Sequence, residues 1–143
     1  MNKMIKNNLH VLIPFLGGVV IIMSIFLPWI TFFGGLQTYS GLNGLNGQIL
    51  LASGIVTLFL CRYLYFHPTE KTQVIIGILG FLELGFTSYL LLHVWQAVYE
   101  VSSNGVNNMM IEGIGPGLFV TFAGSLLVFS ALFFHLRQIA PPK

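Results

Sequence analysis

Four long apolar runs separated by short polar stretches dominate the chain, covering about Leu9 to Phe33, Gln48 to Phe66, Gln73 to Trp95 and Gly115 to Leu136. Each meets the requirement of about 17 to 25 residues for a helix that crosses the hydrocarbon of a bilayer. Helices are expected rather than barrel strands, because a spanning backbone must satisfy its own hydrogen bonds and these runs are long and continuous. The pattern therefore predicts an all-α fold, a four-transmembrane-helix bundle forming one domain over residues 1–143. Lys3 and Lys6 ahead of the first run resemble the start of a signal peptide, but the run is long and no small-x-small cleavage pattern follows it. Retention as a first span is expected.

Composition agrees with a lipid solvent. The chain is 55% hydrophobic and only 7% charged, with a mean hydropathy of +0.85, whereas soluble domains carry roughly a quarter charged residues. The net charge is +2 and the basic residues are scattered, which excludes the clustered basic face that a nucleic-acid partner needs.

The placement of charge then orients the spans. Lys3 and Lys6 precede the first run, Arg62 and Lys71 flank the connection HPTEKT, and Arg137 and Lys143 close the fourth. All six basic residues fall on one side, which the positive-inside bias makes cytoplasmic, together with both termini. The opposite side receives the uncharged segment GGLQTYSGLNGLNG and a later loop with Glu100 and Glu112. Tyr39, Ser40, Asn43, Asn46 and Gln48 offer polar groups there, and Gly41, Gly44 and Gly47 suit a tight helical entry or a turn-rich cap. Pro28 and Trp29 end the first run and Trp95 ends the third, so both tryptophans are expected as anchors at the outer headgroup level.

Within this frame Glu83 stands out as the one charged side chain inside VIIGILGFLELGFTSYLLLHVW, residues 74–95. A carboxyl at such depth must be neutral, paired or facing a wet interior. Gly80 lies three residues before it and Thr87 four after, on the same helix side, and Ile76 and Leu90 continue the stripe. Gly113, Gly117, Thr121 and Ser125 recur every four residues along the fourth run, with Gly124 beside them. Small residues at that spacing allow close helix contact, and the hydroxyls can donate to a carboxyl. Ser53, Thr57 and Cys61 repeat the interval in the second run, and Ser24 adds a polar atom in the first. The expected site is thus a buried polar or transport centre of Glu83, Thr87, Thr121 and Ser125, with Gly80, Gly113, Gly117 and Gly124 as packing positions. Glu83 is expected to be largely protonated and hydrogen-bonded, because burial disfavours the charged form. Arg62 is better placed to snorkel than to pair with it.

Other chemistry is not indicated. His10, His67 and His135 fall near one side and His93 near the other, without close metal-ligand spacing. There is no aspartate, and Cys61 is the single cysteine, inside an apolar run. No nucleophile, base and electrophile converge, so neither an enzyme nor a cofactor is expected.

The segments FLPW, SGLNGLNG and GIGPGLFVTFAGS, set on this topology, resemble small four-helix prokaryotic integral membrane proteins without a firmly assigned role. That resemblance implies membrane residence and assembly, and carries over no catalytic residues. The outline is also similar to claudin-like four-helix proteins with cytoplasmic termini, although their paired loop cysteines and longer first outer loop are missing. Two functions follow as expectations. One is a non-enzymatic scaffold or interaction subunit in the cell membrane (the inner membrane if the cell is Gram-negative), contacting the lipid bilayer and either copies of itself or another integral membrane protein. The alternative is a small transporter or oligomeric channel component whose proton, cation or small-ligand path passes Glu83.

Overall fold

A computed structural model of the chain describes residues 3–32, 37–103 and 113–139. Among the described residues there are four helices, α1 (Lys3–Ile25), α2 (Leu45–Phe66), α3 (Glu70–Ser103) and α4 (Pro116–Ile139). They are accompanied by three short strands, β1 (Pro28–Phe32), β2 (Gln37–Ser40) and β3 (Gly113–Ile114), and by a single 3-10 turn at Gly41–Asn43. Leu45–Phe66, Glu70–Ala97 and Pro116–Phe134 are long and apolar enough to cross a membrane, and α1 holds a shorter apolar stretch, Leu9–Ser24. These helices are compatible with an integral membrane protein.

The helices are bound by their inward stripes. In α2 the buried residues are Gly47, Leu50, Gly54, Thr57, Cys61 and Leu64, alternating by three and four positions as in a bundle seam. The α3 stripe runs Gln73, Ile76, Gly80, Glu83, Thr87 and Leu90, all buried, so the expected face is the packed one and extends one step further to Gln73. Helix α4 packs against both α1 and α3, α1 also packs on α2, and α2 and α3 touch more sparingly.

Two crossings depend on absent side chains. A Cβ at Gly17 would lie 2.7 Å from the Gly124 carbonyl oxygen, so α1 and α4 approach at the level of their backbones. A Cβ at Gly80 would collide with the backbone of Val128 and Phe129, which brings α3 equally close to α4. Gly80, Gly117 and Gly124 thus occupy close contacts.

The first apolar run continues to Phe33 in sequence, but the helix within it stops at Ile25. Phe26 and Leu27 tighten the last turn through bonds to the Met23 and Ser24 carbonyls, and a residue before proline is disfavoured in helical geometry. From Pro28 the chain becomes the central strand of a three-stranded antiparallel sheet, ordered β2-β1-β3. The segment expected as a plain outer loop is therefore partly strand, pairing Thr31 with Thr38 and Ile30 with Ile114. An open sheet edge is not tolerated in hydrocarbon, so in a bilayer this end of the bundle would have to lie outside the apolar slab.

Gly113 also departs from the expected helical stripe. It lies in β3, and a Cβ there would meet nothing within 4 Å. The helix begins only at Pro116, whose missing N–H and fixed φ suit a first helical position, so Gly113 precedes the seam rather than packing in it.

Trp29 gives the larger correction. It is not an exposed interface anchor: only 6% of it is accessible. The register shifts between Pro28 and Ile30, and a bulge of this kind re-aims a side chain. The indole turns inward, where its Nε1 donates to the Ser24 carbonyl at 3.2 Å and its ring fills the space left by Gly41 and Gly117. Trp95, by contrast, is 66% exposed.

Candidate functional site: a split polar seam

Glu83 is 3% exposed and faces α2. Its Oε1 accepts a long hydrogen bond of 3.4 Å from the Thr57 hydroxyl. Among the described residues, its Oε2 is buried without a hydrogen-bond partner. Leaving a buried polar atom unpaired costs about 1–3 kcal/mol, so the carboxyl is accommodated rather than fully satisfied.

The other expected members of the site do not reach this carboxyl. The Thr87 hydroxyl donates to the Glu83 main-chain carbonyl at 2.8 Å, one turn back along the same helix. Ser125 donates to the Thr121 carbonyl at 3.0 Å. Thr121 donates to the Gly117 carbonyl at 2.7 Å and also meets the Ser24 hydroxyl at 2.7 Å. Ser24 in turn donates to the Ile21 carbonyl at 2.6 Å. Each hydroxyl has one proton, so the one Ser24–Thr121 contact and the two contacts to the Ile21 and Gly117 carbonyls share two protons.

The polar interior thus has two centres. Ser24 and Thr121 join α1 to α4, and Thr57 and Glu83 join α2 to α3. Thr87 and Ser125 are buried but turned onto their own backbones, a common use of hydroxyls in membrane helices. A third polar tie was visible in sequence only as the start of the third run: Gln73 is 3% exposed and its Nε2 donates to the Ala131 carbonyl at 3.3 Å, linking α3 to α4. Its place on the same three-and-four stripe as Glu83 was the available signal.

The remaining candidates are dispersed. Arg62 sits over the Phe66 ring, 5.4 Å from its centroid. His93 stacks on Tyr89 and His67 tilts against Tyr63. Among the described residues, no three His, Cys, Asp or Glu side chains come together in a metal-binding group. Cys61 is a buried free thiol. The Glu100 side chain and all of Glu112 lie outside the described residues, as does the side chain of His135.

No protein-family model matches the chain, and neither a curated protein nor a solved structure matches it.

Proposed function

We propose that this protein is a four-span cell-membrane protein, with both termini cytoplasmic, that works as a non-enzymatic scaffold or interaction subunit. The small four-helix prokaryotic membrane proteins it resembles suit the same reading, with the inner membrane as its place if the cell is Gram-negative. The observation that carries the proposal is Gly85. The other glycines within the described helices would each press an added Cβ against a neighbour, but at Gly85 nothing lies within 4 Å. It forms a notch on the outer face of α3 between Phe81 and Tyr89, which are 60% and 61% exposed. A glycine facing lipid contributes little, whereas a notch between aromatics admits a side chain of a second membrane helix. The occupant is another copy of this chain or another integral membrane protein.

Gly85→Phe is expected to leave the stability of the fold within about 0.5 kcal/mol of the parent while abolishing the complex recovered in mild detergent. A parent that is monomeric in mild detergent and in bilayers, by light scattering and single-molecule bleaching, would overturn the proposal.

The unpartnered Oε2 of Glu83 favours a second reading, a proton or cation path. Against it, the groove-forming residues beside Arg62 do not include Glu83, and among the described residues its carboxyl is met by the Thr57 hydroxyl of α2 rather than by a cation. The first reading makes Glu83 a neutral packing element. Replacing both partners of a buried polar contact by apolar groups of similar shape is nearly neutral or stabilising. Glu83→Met combined with Thr57→Val should therefore keep or raise the midpoint and leave the assembled state unchanged. Proton or cation flux through parent liposomes that disappears in Glu83→Gln would instead establish the transport reading.

A further inference from the structure

A groove of about 710 Å³ runs between α1 and α2 at the end of the bundle opposite the sheet. Val11 and Phe15 form one wall, Ile55 and Phe59 the other, and Arg62 and Tyr65 stand toward its mouth. The groove is open sideways, since Phe15, Ile55, Phe59 and Tyr65 are all exposed along it. Its lining is almost wholly apolar apart from the guanidinium. We propose that it binds an anionic phospholipid, with one acyl chain in the groove and the phosphate on Arg62.

The dimensions suit that occupant. Arg62 lies four residues before the end of α2, about 6 Å along the axis, which a snorkelling side chain spans to headgroup level. Ile55 lies seven residues deeper, about 10 Å into the apolar slab. A chain lying from Arg62 to Ile55 therefore points inward from the interface, as an acyl chain does. Arg62 also borders a shallower furrow on its other flank, formed by α2 residues including Val56, Leu60 and Tyr63. The second acyl chain of the same lipid can follow it, straddling the Phe59–Arg62–Phe66 ridge.

Charge favours an anionic headgroup over a zwitterionic one. Lys71 begins α3, at the same end of the bundle as Arg62 and the C-terminal turn of α2. The one carboxyl on the described helices at that end is Glu70. Basic pockets at such a membrane face recognise anionic headgroups. A partner helix fits the groove less well, because close helix contact needs small residues and these walls carry Phe15, Phe59 and Tyr65. A flexible acyl chain fills an irregular aromatic groove without that constraint.

The inference rests on the membrane placement proposed above, but not on the scaffold role. The test uses the full chain in bilayers containing spin-labelled phosphatidylglycerol or spin-labelled phosphatidylcholine with the same acyl chains, and reads the motionally restricted lipid by electron spin resonance. The parent should restrict phosphatidylglycerol in preference to phosphatidylcholine. Arg62→Gln should reduce that preference about fivefold, the factor for one basic residue at a membrane surface, while Arg62→Lys retains most of it. Leu58→Trp, which fills the groove wall, should release the restricted phosphatidylglycerol even with Arg62 intact. An unchanged preference in Arg62→Gln overturns the proposal by assigning selectivity to the other cations. A change in oligomeric state in Arg62→Gln with no change in lipid preference overturns it in favour of a protein occupant. Failure of the membrane placement itself is distinguishable, since neither lipid would then show a restricted component.

Discussion

Trp29→Ala is expected to lower stability by about 3–5 kcal/mol, whereas Trp95→Ala should change it by about 0.5 kcal/mol or less. The indole of Trp29 is enclosed by the end of α1, the 3-10 turn and the start of α4. An added Cβ at Gly41 would lie 2.7 Å from its ring atoms, a measure of how tightly the slot is filled. Truncation removes those contacts and leaves a cavity that the paired β1 strand and two helix ends cannot readily close. It also removes the indole donor to Ser24. Trp95, 66% exposed, has no such slot to vacate; its loss should alter the depth or tilt of α3 in the bilayer instead. Thermal unfolding followed by circular dichroism in detergent separates the two. Equal destabilisation by both substitutions would contradict the inward placement of Trp29.

Gly80→Val should cost about 3 kcal/mol, the upper part of the usual range for overpacking. The added Cβ meets main-chain atoms of Val128 and Phe129 rather than the end of a flexible side chain. Backbone can yield only if α3 and α4 separate, and neighbouring Gly77 is equally committed, since a Cβ there would lie 2.9 Å from that of Leu132. The same separation would stretch the Gln73–Ala131 tie. Gly85→Val is the internal comparison, five residues along the same helix but with open space around it. It should preserve the fold and, by narrowing the notch, weaken association. A midpoint for Gly80→Val equal to that of Gly85→Val would mean that α3 and α4 do not meet at this seam.

The inward face of α3 was readable from residue types because small and polar residues are the informative ones in a lipid solvent. Both the lipid-facing and the core-facing sides of these helices are apolar, so hydrophobic contrast says little about which way a helix turns. Gly80, Glu83 and Thr87 mark the packed side because lipid exposure offers them nothing. The same logic recovers Thr57 and Cys61 on α2 and Gly117, Thr121 and Ser125 on α4. It fails for Gly113, whose four-residue spacing continues the pattern beyond the helix; Pro116, not the spacing, sets where α4 begins. It also passes over the strand signal in Trp29–Phe32 and Gln37–Ser40, short β-branched and aromatic stretches next to long apolar runs that favour reading everything as helix.

Long apolar runs, sparse charge and one isolated carboxyl were enough to determine by themselves a helical protein with helices long and apolar enough to cross a membrane and the helix side on which Glu83 lies, since both follow from local solvent preference and a helical period. Only the tertiary structure decided the partners. Ser24 finds Thr121 across 97 residues, Glu83 takes Thr57 while leaving Thr87, Thr121 and Ser125 to other acceptors, and a strand bulge turns Trp29 from the interface into the core. Those choices depend on which helices are neighbours and on their relative rotation. A one-dimensional pattern of polar and apolar residues specifies which face is inward, but not what that face will meet.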